Sequence, residues 1–155
     1  MANKITWDAR PTGSEILGTG DLADWSDGAQ STVSSEVTNG TDLDTHADFM
    51  LYVDDWSDVP DAGAYVECHI CYELDAKYGD GEAGDMGDPN LSGNTMVGVF
   101  PITAANEAQY VQLLGVQLMP HDFKVVMVNE TGQTIDPTSA SDSWLKIYTY
   151  SAEIQ

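Results

Sequence analysis

The chain has 155 residues, enough for one compact domain with its own core and too few for two of ordinary size. Acids outnumber bases 26 to 5, and the net charge of −21 repels nucleic acid and anionic lipid, which excludes both as expected partners. No run reaches the roughly 18 apolar residues of a membrane span, and the opening MANKITWDARPTGSEILGTG lacks the apolar stretch of a secretory signal, so synthesis in a cytoplasm is expected.

Residues 1–45 are rich in Gly, Ser, Thr and Asp and show little hydrophobic periodicity. Their apolar residues stand as isolated pegs: Ile5, Trp7, Ile16, Leu17, Leu22 and Trp25, with the basic Lys4 and Arg10 among them. A disordered tail is poorer in Trp. The stretch therefore reads as an extended N-terminal arm whose pegs dock either on their own domain, as an edge strand, or on a neighbour. Within it STVSSEV is a weak strand candidate, and Asn39-Gly40 after it is a favoured hairpin turn.

From His46 the pattern becomes β, and residues 46–155 read as a β-sandwich domain. HADFMLYV is a short apolar run closed by the turn-rich DDWSDVPDAG. AYVECHICYELDA alternates most clearly, and TMVGVFPI follows a long loop. AQYVQLLGVQL, FKVVMVN and SWLKIYTYSAEI complete the series, with turn chemistry at Asn129-Glu-Thr-Gly-Gln and Asp136-Pro-Thr-Ser. AANEAQYVQLL has helical spacing, but its aromatic and β-branched residues favour a strand. Many short strands separated by turns predict an all-β antiparallel sandwich or barrel.

The chemistry-bearing residues are few. In VECHICYEL, strand alternation puts Val66, Cys68, Ile70, Tyr72 and Leu74 on one face and Glu67, His69, Cys71 and Glu73 on the other. The two sulfurs then point apart, which excludes a shared zinc or a disulfide between them. Glu67, His69 and Glu73 on one face remain a minor metal alternative. The acidic, glycine-rich loop after Asp75 offers Asp80, Glu82, Asp85 and Asp88 as oxygen ligands for Ca2+, at spacings unlike an EF-hand. His46, His69 and His121 are scattered and read as surface or capping residues, and no nucleophile elbow or phosphate loop is present. No catalytic residue and no cofactor is expected.

The last strand alternates Trp144, Lys146, Tyr148 and Tyr150 against Leu145, Ile147 and Thr149, so both faces carry large side chains. One face then meets the core. The other suits a neighbouring subunit, a carbohydrate, or ordinary cross-strand aromatic pairing.

Residues 97–135, VGVFPI followed by VQLLGVQLMPHDFKVVMVNETGQTI, resemble small structural proteins encoded near the capsid genes of tailed bacteriophages. The shared pattern is a strand ending in Phe-Pro, a Leu-rich strand, a Pro turn, and a Phe-Lys-Val-Val strand closing on Asn-x-Thr-Gly-Gln. The likeness extends over residues 46–150. It implies a jelly-roll-like sandwich that decorates or cements the phage head. The implied partner is the major capsid protein, and a homo-oligomer (dimer or trimer) on the outer capsid surface of the virion is expected. Aromatic and arm residues are the candidate interface anchors: Ile5, Trp7, Arg10, Trp25, Trp144 and Tyr148. The alternatives are a tail or fibre component, or a carbohydrate-binding module contacting the host surface. Last comes a metal enzyme using the acidic loop or His69.

Overall fold

A computed structural model describes residues 5–7, 13–73, 95–136 and 142–154, with only the backbone described at 5–7, 95 and 152–154. The strands are β1 (Ile5–Trp7), β2 (Ser14–Leu17), β3 (His46–Val53), β4 (Tyr65–Tyr72), β5 (Thr95–Pro101), β6 (Gln109–Gln117), β7 (Phe123–Glu130), β8 (Trp144–Tyr150) and β9 (Ala152–Ile154). They form a four-stranded sheet, β2-β8-β3-β6, a three-stranded sheet, β5-β4-β7, and the pair β1-β9. Every pairing is antiparallel. The expected all-β antiparallel sandwich is therefore the observed fold.

Alternation builds the core. Ala47, Phe49, Leu51 and Val53 of β3 and Leu145 and Ile147 of β8 are buried, as are Val66, Cys68 and Ile70 of β4 and Phe123, Val125 and Met127 of β7. Each set occupies every second position, so each sheet turns one apolar face inward. The predicted split of VECHICYEL holds: Cys68 lies in this core, Cys71 lies with Val126 on the opposite face, and no disulfide joins them.

The described part of the first 45 residues packs onto its own chain. β2 pairs with β8, and Ile16, Leu17, Leu22 and Trp25 join the same core as the later strands. Residues 28–37 then run antiparallel along the outer edge of β7. Gly28 N donates to Asn129 O and Asn129 N to Ala29 O, and further along Val37 and Phe123 exchange backbone bonds in both directions. Ser31 N donates to Met127 O and Ser34 N to Val125 O, while the amides of Met127 and Val125 donate to the hydroxyls of Ser31 and Ser34 at 3.0 and 2.8 Å. Contacts thus recur every third residue on the segment and every second on β7. From residue 28 to 37 the chain must fit against β7 residues 129 to 123, about 20 Å of strand. That is too short for nine extended steps, which is why the segment makes bridges at Gln30 and Val37 and STVSSEV is no strand.

Asn39-Gly40 is not the predicted hairpin turn. Asn39 is buried, and its side-chain amide donates to Asp44 O and Met119 O. The amides of Asn39 and Gly40 both donate to Asp122 Oδ1, at 2.7 and 2.6 Å. These bonds guide the chain from the β7 edge across to β3 in the other sheet, a crossing rather than a reversal.

The pairing has a simple order: β2 lies beside β8, segment 28–37 beside β7, β3 beside β6 and β4 beside β5. First pairs with last, second with next-to-last, inward to the β4–β5 pair. AQYVQLLGVQL is β6, a strand as expected. It carries a bulge in which Ala47 pairs Val116 and Phe49 pairs Leu113, so Leu114 and Gly115 share one place opposite Asp48. Gly115 has φ +69°, a conformation that side chains resist.

Candidate functional site: an aromatic face on the four-stranded sheet

The outward residues of β6, β3 and β8 stand in cross-strand rows. Register places Tyr110, Tyr52 and Trp144 in the first row and Gln112, Met50 and Lys146 in the second. Asp48 lies opposite Tyr148, and His46 opposite Tyr150.

The rings contact one another along these rows. Tyr52 stacks on Tyr110 with centroids 4.4 Å apart, and Trp144 is tilted against Tyr52 at 5.5 Å. Lys146 places its ammonium 4.0 Å from the centroid of Trp144, and the same nitrogen lies 3.8 Å from Glu15 Oε2 on β2. At the other end of the face His46 stacks on Tyr150 at 5.7 Å. Such pairs each contribute about 0.5–1.5 kcal/mol beyond simple burial.

Hydrogen bonds fix the rings from below. Tyr52 donates to Asp54 Oδ1 at 2.5 Å, which pushes the phenol up to about 12, because the phenolate would face a carboxylate. Tyr150 donates to Asp48 Oδ1, which also accepts the Gly115 amide at 2.8 Å. Asp48 is only 3% exposed although it points outward, so the aromatic side chains roof over a buried carboxylate.

The expected anchors separate into three groups. Trp144 and Tyr148 stand half-buried on this face, as the alternation of the last strand predicts. Trp25 instead sits in the core, with its indole N–H donating to Ala29 O, so it anchors segment 28–37 to its own sandwich. Ile5 and Trp7 lie on β1, whose backbone pairs with β9, and their side chains fall outside the described residues. Arg10 and the loop ligands Asp80, Glu82, Asp85 and Asp88 also lie outside them.

Sequence reasoning missed Tyr52, Tyr110 and Asp48. Tyr52 and Tyr110 are outward positions of alternating strands, but only the register reveals that they meet Trp144. His69 departs from its expected surface role. It is 5% exposed, and its Nε2 lies 2.9 Å from Glu67 Oε2 on the outer face of the three-stranded sheet. Among the described residues no group of three or more His, Cys, Asp or Glu side chains gathers as a metal site.

No family model matches the chain, and no curated protein matches it. The chemistry of the face follows from its geometry. It offers aromatic carbon, phenol hydroxyls and one ammonium, held in place before any partner arrives. A preset arrangement of this kind suits contact with a partner. A sugar platform needs open ring faces, and here Tyr52 turns one face to Tyr110 while Lys146 covers one face of Trp144. Tyr110, 67% exposed, is the ring with most of its surface open.

Proposed function

We propose that the protein decorates the head of a tailed phage, binding the major capsid protein on the outside of the shell and stabilising it through subunit contacts. The aromatic face carries this reading. Its rings are locked by stacking and by Asp54 and Asp48 before contact. Binding then costs little side-chain entropy, which favours protein–protein association. The strand order supports the jelly-roll part of the reading. With 28–37 counted as a strand, first-with-last pairing is what results when one long double ribbon is rolled into two sheets. The stretch that resembles phage head proteins, residues 97–135, covers most of β5 together with β6 and β7. The strong negative charge would keep decorated particles apart.

The test is co-sedimentation with shells that lack the protein. Saturable binding that Trp144→Ala together with Tyr148→Ala weakens is the expected result. Absence of binding to shells would overturn the reading. The exposed ring of Tyr110 keeps one alternative open, a host-surface glycan as ligand. Glycan binding that Tyr110→Ala abolishes, with shells left bare, would establish that alternative.

A further inference from the structure

We propose that the aromatic face seats a guanidinium, an arginine side chain of the partner protein, on the open side of Tyr110. The inference rests on the reading of this face as a contact surface and names what the partner must bring to it.

Tyr110 stands on β6, the edge strand of the four-stranded sheet. Its cross-strand partner is Tyr52, and the two rings stack at 4.4 Å, so the stack runs across the strands. The other face of Tyr110 therefore points off the sheet edge, and the residue is 67% exposed. Trp144 adds a third ring, 6.1 Å from Tyr110 with the planes at 62°.

Two carboxylates accompany this ring group. Asp54 follows β3 and accepts the Tyr52 hydroxyl at Oδ1, and Asp142 lies two residues before Trp144. Both hold the Tyr52 phenol in its protonated form, so both lie within electrostatic reach of the rings. The lysines among the described residues are Lys124, on the other sheet, and Lys146, whose ammonium is engaged 3.8 Å from Glu15. Neither Asp54 nor Asp142 has an ion-pair partner among the described residues.

The face already holds one cation by the same means. Lys146 sets its ammonium 4.0 Å from the centroid of Trp144 and against Glu15, with a ring on one side and a carboxylate on the other. Tyr110 with Asp54 and Asp142 repeats that combination at a ring face open to solvent. A cation over the ring is attracted by its quadrupole, and a carboxylate nearby adds a charge-assisted bond. Guanidinium suits the place better than ammonium: it is planar, lies flat on a ring, reaches sideways with its N–H fork and sheds water more easily. An anionic group would be repelled by both aspartates. The net charge of −21 steers a basic surface toward the protein.

Three probes test this on the isotope-labelled full chain at about 0.05 M NaCl: N-acetyl-arginine amide, its lysine counterpart and its neutral citrulline counterpart. The expected result is saturable NMR shifts centred on Tyr110 and the Trp144 indole, largest with arginine, smaller with lysine and absent with citrulline. Tyr110→Leu and Asp142→Asn should each weaken the arginine titration by about 3-fold or more. Lys146→Ala should strengthen it, because the substitution bares a face of Trp144 and removes a like charge. Changes of opposite sign separate a lost contact from a damaged fold. Equal response to arginine and citrulline, shifts spread evenly over the acidic surface, or indifference to Tyr110→Leu would overturn the proposal. Co-sedimentation separates it from its parent reading. Shells bound equally by wild type and Tyr110→Leu would remove the arginine seat and leave decoration standing. Arginine seated at Tyr110 with shells left bare would uphold the seat and remove decoration.

Discussion

The two sides of the sandwich treat their sheet edges in opposite ways. At β7 the edge is covered by residues 28–37, which satisfy the outward amides and carbonyls of Phe123, Val125, Met127 and Asn129. At β5 and β6 the edges meet each other, and no described residue pairs with their outer sides. The covering segment is polar and serine-rich, and the bare edges are apolar and uncharged. The difference teaches that an edge can be closed by side-chain hydroxyls where no regular strand fits.

The comparison breaks most easily at Trp25. Trp25→Ala removes a buried indole that holds segment 28–37 to the core, and a loss of about 3–5 kcal/mol is expected in denaturant unfolding. Ser31→Ala or Ser34→Ala sharpens it. Each substitution leaves a buried amide, of Met127 or Val125, without its acceptor, at a cost of about 1–3 kcal/mol each. Hydrogen exchange should accelerate at those amides while β4 amides stay protected. A cost near zero would mean that the hydroxyls are not closing the edge.

Cys68, midway between the sides, gives an internal reference. Burial pushes its thiol up from 9.0 to about 12. Below pH 9 both folded and unfolded thiols keep their protons and stability is unaffected. Between about 9 and 12 the unfolded chain ionises first, so stability should fall by up to about 1.4 kcal/mol per pH unit. Cys68→Ala should flatten that slope. At the open edge of β6 the effects on folding are smallest. Leu114→Ser should shift stability by no more than about 0.5 kcal/mol, because its side chain is already mostly in water.

Much of the fold was legible because its strands obey a period of two. β3, β4, β7 and β8 each turn every second residue into the core, and the order of their apolar residues carries that period. The segment at the β7 edge was not legible as a strand, because its contacts recur at Gly28, Ser31, Ser34 and Val37, a period no rule of strand or helix supplies. The arm's pegs were legible as apolar, but sequence could not say whether Trp25 faced its own core or a neighbour. Half of the aromatic face could be read from the last strand. Its other half, Tyr52 and Tyr110, depended on the pairing of β3 with both β6 and β8, which is tertiary information. The burial of Asp48 and His69 was illegible for the same reason: covering side chains arrive from distant parts of the chain.

The bulge in β6 has a genetic consequence. Reading inward positions along the strand gives Val111, Leu113, Val116 and Leu118, and the count skips once, at Leu114-Gly115. Loss of the single codon for Gly115 would leave Val111, Leu113, Val116 and Leu118 at every second place, with Phe49 still opposite Leu113 and Ala47 still opposite Val116. A one-residue deletion in the strand away from Leu114 and Gly115 would turn part of it inside out. β6 therefore has one locus where chain length is free to change, and Asp48 is the residue that would have to change with it, since its carboxylate holds the amide that the deletion removes.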